Sequence, residues 1–310
     1  MQVFVLLNHT AKSDEHVPED QGRRNVEDAF ARRGISAIIK SVKGSEIAKE
    51  VQSYLTNQSA DPSKKYDVLV VGGGDGTIGA AAGELVGKSE PFGILPLGTL
   101  NHFAKDLGLP LDLEQAVDVI VRGNSRRVDA GELNGQIFVN NSSVGLYPFM
   151  VANRIAEQRR WGIGKLTASI PAVVRTLWKG TWRRFTIRFA TRELSLRSPC
   201  VFVGNNSYDL SLERFGSRAS LDQGELCVFV VKQQTRLALL LWPFRVALNL
   251  TDRTRDIDVF KMDAVEITSR SNRLQVSLDG EVRTMETPLR YAIKKGALCV
   301  LVPAAIEHVD

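Results

Sequence analysis

Residues 67–77 read Asp67-Val68-Leu69-Val70-Val71-Gly72-Gly73-Gly74-Asp75-Gly76-Thr77, and this stretch decides the fold. A continuous β-branched run that breaks into glycines predicts a strand over Asp67–Val71, buried on both faces, followed by a turn. The alanine-rich stretch Ile78–Val86 then predicts a helix. In an open α/β sheet, ligands sit beyond the carboxyl ends of the strands. Glycines there let backbone N–H groups approach phosphate, and the next helix N-terminus favours negative charge. A tight turn needing positive φ is the bland alternative, but four glycines in five positions exceed what a turn requires.

Outward from this stretch the pattern continues as strand and helix in alternation. Gln2–Asn8, Ile35–Val42 and Phe92–Leu97 are the other expected strands of the first part. Asp20–Arg33, Ser45–Leu55, Asn101–Leu107 and Leu113–Val121 are the expected helices. Successive βα units predict an α/β, doubly wound nucleotide-binding domain over residues 1–128, open to completion by the C-terminal tail. After Arg127 the texture changes to short β runs: Gln136–Asn140, Phe185–Phe189, Cys200–Gly204, Glu225–Val231, Ala264–Thr268, Leu274–Leu278 and Leu298–Val302. These predict a mostly antiparallel β domain over 129–310, with only Gly162–Lys179 and Leu237–Leu248 reading as helices.

The whole chain has 310 residues, 44% hydrophobic and 24% charged, which excludes wholesale disorder and suggests about two domains. Cys200, Cys227 and Cys299 are widely spaced, so a disulfide scaffold and a structural zinc site are both disfavoured. The apolar run Leu237–Leu250 is broken by Pro243 and Arg245 and falls short of the roughly 20 residues of a membrane span. The start MQVFVLLNHT has no basic leader and reads as a first strand, so a cytoplasmic protein is the expectation.

Two phosphate-motif decoys can be set aside. Gly74 to Gly79 satisfies G-x-G-x-x-G, but no acid closes the following strand as a dinucleotide fold requires. Gly83-Glu84-Leu85-Val86-Gly87-Lys88-Ser89 has three residues between its glycines where a P-loop has four, and it follows a helix. Asp75 amid phosphate-facing amides suggests instead a hard cation, most simply Mg²⁺, bridging protein and nucleotide. A second loop, Leu95-Pro96-Leu97-Gly98-Thr99-Leu100-Asn101, ends the next strand in the same style. Neighbouring strands would bring both loops to one edge, with the Thr99 hydroxyl and Asn101 amide available to phosphate or ribose.

GGGDGT at 72–77, LPLGTLNHFAKDLGLP at 95–110, RRVDAGELNGQIFVNNSSVGL at 126–146 and VSLDGE at 276–281 together resemble the diacylglycerol kinase catalytic-domain superfamily. The nearest likeness is to its soluble bacterial lipid kinases, related to sphingosine and ceramide kinases. The resemblance implies an ATP- and Mg²⁺-dependent lipid kinase with its active site between two domains, and diacylglycerol as the leading acceptor. It implies that Gly72, Gly73, Gly74, Asp75, Gly76, Thr77, Gly98, Thr99 and Asn101 bind nucleotide, with Asn8 and Lys12 from the opening segment. Asp75 would orient Mg²⁺, and Asp129 would join the metal-water network. Glu281, with Asp279 in the same network, would take the proton from the lipid hydroxyl.

The chain also departs from the family pattern. Asn8-His9-Thr10-Ala11-Lys12 replaces an Asn-Pro-x-Ser-Gly opening, and His102 stands where the family carries Asp. Only Lys40 and Ser41 stand where a family Thr touches ATP. A structural metal at an Asp-Gly step meets Gln223-Gly224 here, with Asp222 one residue early as the remaining candidate ligand. Two other readings therefore stay open: a catalytically weak lipid-binding relative, and a kinase of a soluble substrate such as NAD.

Between Arg154 and Arg197 the chain carries eleven Lys or Arg against two acids, Glu157 and Glu193. That local +9 exceeds the +5 of the whole, so the remainder is net acidic. Trp161, Trp178 and Trp182 fall in the same stretch, with Ile163, Leu166, Ile170, Val173 and Leu177 at helical spacing. Such a segment predicts reversible association with an anionic membrane surface. No recognition helix or aromatic RNA-binding sheet is evident, so no nucleic-acid partner is expected. Oligomeric state is open, a homodimer included.

Overall fold

The structure is a computed structural model of the chain, and it describes residues 1–8, 19–60, 66–145, 182–190, 192–208, 217–218, 220–232 and 257–304. The expected helices Gly162–Lys179 and Leu237–Leu248, together with Lys12, Trp161 and Trp178, lie outside the described residues. The chain divides into a first unit of residues 1–130 and 295–310 and a second of residues 131–294.

The first unit is an α/β domain whose parallel strands run in the order β2 (Ser36–Val42), β1 (Gln2–Asn8), β3 (Val68–Gly73), β4 (Phe92–Pro96). The far end of the long strand β16 (Leu289–Leu301) pairs with β4 in parallel, Val300 opposite Phe92. All six residues of β3 are buried, as a parallel strand covered on both faces must be. One covering layer is α1 (Glu19–Ala31) and α5 (Leu113–Arg122), whose Val26, Phe30, Val117 and Ile120 pack on Val3, Val5 and Val70. Their exposed ends are tied by Arg33, whose guanidinium reaches Glu114 and Asp118 at 2.6 Å each. The alternate strand residues Leu6, Leu69, Val71 and Ile94 are buried too.

Helix boundaries follow local chemistry. Asp112 caps α5 by accepting the Gln115 N–H at 3.0 Å, and Gly123 ends it at φ 71°. Helix α2 (Ile47–Ala60) follows a single 3₁₀ turn, and Tyr54 on it stacks on Phe4 of β1 at 5.6 Å. Helix α3 begins at Asp75, three residues before the expected Ile78, and runs to Leu85. The short α4 covers His102–Asp106.

The second unit is antiparallel. One sheet joins the first half of β16 to β13 (Ala264–Ser269), β8 (Arg183–Phe189) and β9 (Arg192–Ser198). The other runs β12 (Ile257–Met262), β11 (Leu226–Val231), β10 (Cys200–Asn205), β7 (Asn141–Gly145), β14 (Arg273–Leu278), β15 (Glu281–Glu286). Between them lie Phe138, Phe185, Ile187, Val203, Val228, Ile267, Val276 and Tyr291. Full burial of each such side chain contributes roughly 1.5–3 kcal/mol. Tyr291 keeps its hydroxyl satisfied on Ser142 at 3.0 Å, and burial pushes the phenol well above its ordinary range.

Five strands go beyond the expectation: β5 (Ser125–Leu133), β7, β9, β12 and β15. The expected strand Leu298–Val302 is the last part of the 13-residue β16. Gly296, inside that strand at φ 54°, accounts for the difference, because Lys294-Lys295-Gly296 reads as a break. Among the described residues no helix is long and apolar enough to cross a membrane.

Candidate active site

The glycine edge of the first unit is built from backbone. Strands β3 and β4 lie side by side in parallel, Gly73 opposite Pro96, and the Leu97 N–H donates to the Gly73 carbonyl at 3.1 Å. Both loops therefore leave the sheet at the same edge. A Cβ on Gly98 would stand 2.3 Å from the Gly74 Cα, which only glycine avoids. Likewise a Cβ on Gly72 would meet Leu7 at 2.5 Å, and one on Gly73 would meet Thr77 at 2.6 Å. None of Gly72, Gly73, Gly74, Gly76 or Gly98 has positive φ, so close approach, not a left-handed turn, is what the glycines provide.

Gly74 is the N-cap of α3 and brings no side-chain acceptor to the first-turn amides. That is the arrangement in which an anion can take a cap's place. Asp75 is the first helical residue, and its Oδ1 accepts the Phe103 N–H at 3.1 Å, tying the second loop to the first. Asn8, at the end of β1, donates to the Thr77 hydroxyl at 2.7 Å, so the opening segment reaches the same edge.

Asn101 is engaged within its own loop. It sits in the left-handed region at φ 52°, buried, with its carbonyl oxygen taking the Gly98 N–H at 3.0 Å. Its amide donates to the carbonyls of Pro96 at 3.0 Å and Gly98 at 2.9 Å. This side chain holds the loop shut on itself, while Thr99, Leu100 and His102 stand exposed. Lys40 is engaged with Glu50 at 2.5 Å.

In the second unit, Asp279 and Gly280 form the two-residue turn between β14 and β15, at φ 46° and 87°. Positive φ at both positions is the twist a tight hairpin needs. The Asp279 carboxylate accepts the amides of Val139 (2.8 Å), Asn140 (2.8 Å) and Asn141 (3.0 Å). Burial pushes this carboxyl up to about 6, against the pull of those amides and of Arg218. Glu281 opens β15, exposed, and pairs with Arg283 at 3.0 Å.

The metal candidates are spread out. Asp129 is buried and its Oδ1 accepts the Gly296 N–H at 2.7 Å. Asp222 accepts the Ser220 hydroxyl. Among the described residues no three His, Cys, Asp or Glu side chains gather into a cage. Mg²⁺ needs no such cage, since it keeps several waters and is held by one or two carboxylates plus substrate phosphates. A lone carboxylate at the start of α3, beside the glycine loops, is a donor set that fits it.

The sequence reading missed Arg218, Tyr208 and the Val139–Asn141 corner. Arg218 is buried and donates to the carbonyls of Val139 (2.6 Å) and Asn205 (3.1 Å) and to the Asn140 side-chain oxygen (2.8 Å). An arginine in a polar loop sequence carries no signal of burial.

Residues 2–133 match the family described as "Diacylglycerol kinase catalytic domain". A "Probable lipid kinase YegS-like" of Chromohalobacter salexigens is 28% identical over 247 residues, which cover 77% of this chain and 78% of that protein. A diacylglycerol kinase of Staphylococcus carnosus is 34% identical over 114 residues, 34% of this chain and 37% of its own length. Among solved structures, a diacylglycerol kinase from Bacillus anthracis aligns over 98% of both chains at TM-score 0.68 and 19% identity. A second structure from that organism aligns over 98% of both chains at TM-score 0.74 and 22% identity. At such identities the structural likeness establishes the fold.

Proposed function

From the match of residues 2–133 to the diacylglycerol kinase catalytic domain family, we propose that the protein is an ATP- and Mg²⁺-dependent lipid kinase, with diacylglycerol or a related lipid as acceptor. The observation that carries this reading is the backbone contact of Gly74 with Gly98 at the carboxyl ends of β3 and β4. It leaves the first turn of α3 and the second loop at one edge, suited to a polyphosphate.

In the reaction, the lipid hydroxyl oxygen forms a bond to the γ-phosphorus while the bond from that phosphorus to the β,γ-bridging oxygen breaks and ADP departs. The chain's task is mainly positioning and charge neutralisation. The α3 amides and Thr77 hold the phosphates, and Asn8 and Asn101 fix the loops that do so. Asp75 would hold Mg²⁺, which neutralises phosphate charge when bound. Glu281 takes the hydroxyl proton, and Asp279, whose oxygens serve three backbone amides, holds the turn on which Glu281 stands. The basic segment from Arg154 to Arg197 brings the enzyme to the lipid surface.

Purified protein is tested with radiolabelled ATP, Mg²⁺ and vesicles of phosphatidylglycerol and diacylglycerol, followed by lipid extraction. A labelled phospholipid is expected, falling about 10²- to 10⁴-fold in Glu281→Gln, the usual worth of a general base. No labelled lipid while the protein still floats with vesicles would overturn the kinase reading in favour of a lipid-binding protein, the role His102 would favour.

A further inference from the structure

We infer that Arg218 is a positioning residue for the Asp279-Gly280-Glu281 turn, acting through the peptide groups of Val139–Asn141; the inference rests on the reading of Glu281 as the base. The corner between β6 (Gln136–Phe138) and β7 is gripped from two sides. On the amide side, the Asp279 carboxylate takes the N–H groups of residues 139, 140 and 141 at 2.8–3.0 Å. On the carbonyl side, Arg218 takes the Val139 carbonyl at 2.6 Å and the Asn140 side-chain oxygen at 2.8 Å.

An anion and a cation thus sit at opposite ends of one peptide group, whose Val139 carbonyl goes to Arg218 and whose Asn140 N–H goes to Asp279. Each polarises the peptide that the other binds, the setting in which hydrogen bonds reinforce one another. The grip is shared with its surroundings. The Tyr208 hydroxyl donates to the Asn140 carbonyl at 2.9 Å, and its ring lies 5.5 Å beneath the Arg218 guanidinium. Asn205 donates through its amide to the Val139 carbonyl at 2.9 Å. The Asp279 N–H returns to the Asn141 carbonyl at 2.9 Å, so turn and corner close into one unit.

The turn has reason to need such a hold. Asp279 is a non-glycine residue at φ 46°, a conformation that local bonding must sustain. Glu281 lies two residues on, exposed and paired with Arg283 two positions along its own strand. Its place is therefore inherited from the turn. Arg218 is a fork rather than a point charge here, with both terminal nitrogens committed, so lysine would keep the charge and lose the geometry.

The test uses the full chain as Arg218→Gln, Arg218→Lys and Arg218→Ala. In folded Arg218→Gln, amide exchange at residues 139–141 should quicken about tenfold. There kcat for diacylglycerol vesicles should fall about 10- to 100-fold, as expected for misplacement near 1 Å, with KM for ATP unchanged. The Asp279 carboxyl, followed by carbon-13 NMR, should titrate at higher pH once the neighbouring cation is gone. Guanidinium ion should restore part of the kcat of Arg218→Ala. Wild-type exchange and wild-type kcat in Arg218→Gln overturn the inference. If that variant does not fold, Arg218→Lys carries the test, and wild-type kcat there overturns it equally. Exchange and the Asp279 titration do not depend on activity: an indifferent Glu281→Gln with the exchange effect present would remove the base assignment and retain Arg218 as the holder of the turn.

Discussion

The glycine edge of the first unit and the Asp279 turn of the second fix backbone by opposite means. At the edge, side chains are removed until Gly74 and Gly98 touch through their main chains. At the turn, charged side chains are inserted to take up amides and carbonyls that strand pairing leaves over. The first arrangement tolerates no added atom, and the second tolerates no lost hydrogen-bond partner. Steric exclusion is indifferent to pH and salt, whereas a buried carboxyl is not, so the two regions should fail under different stresses.

The largest effect is expected from Gly98→Ala. Its Cβ would fall 2.3 Å from a backbone atom, which no rotamer relieves. Overpacking of this kind destabilises by roughly 1–3 kcal/mol, and the shifted loop should abolish ATP binding. Calorimetric titration with ATP reads the binding and a urea melt reads the stability. Tight ATP binding by this variant would break the contrast at once.

Next comes Asp279→Asn, which keeps shape and removes charge. One of the three amides would then face an NH₂ group, leaving a donor unpaired at a cost of about 1–3 kcal/mol in a urea melt. The wild-type pH dependence sharpens the same point. The folded-state value near 6 lies above the ordinary 3.8, so folding is favoured by the protonated form. That contribution is complete below about 3.8 and is lost as pH rises through about 6. The Asn variant should lack this slope between those two values.

The smallest effect is a gain. Gly83 lies within α3 with open space where a Cβ would be, so Gly83→Ala should stabilise by about 0.5–1 kcal/mol. Helix α3 would then hold a glycine that can be replaced with profit, while Gly98, packed against its N-cap, cannot.

The same contrast explains what could be read in advance. At the glycine edge composition is geometry: a buried β run followed by glycines specifies strand, close approach and helix start within eleven residues, 67–77. The parallel direction of β1, β3 and β4 followed from the same alternation. Strand β7 was invisible because Asn141-Ser142-Ser143 has low β propensity, and its place between β10 and β14 is what makes it a strand. Asp279 was legible only through the family resemblance, since its amide partners lie about 140 positions earlier and nothing local announces them. The bonds of Asn101 within its loop were hidden for the same reason, since a side chain's partners in a loop depend on the loop's path.

Strand β16 begins in the second unit and ends in the first, so the second unit is an insertion within the first. During synthesis, residues 131–294 leave the ribosome before the strand that completes the α/β sheet. The edge of β4 must wait for Val300, the amide of Gly87 for the Ala297 carbonyl, and the Asn124 carbonyl for the Val302 amide. The domain encoded first is thus finished last, and until Val300 arrives the β4 edge of its sheet stands unpaired.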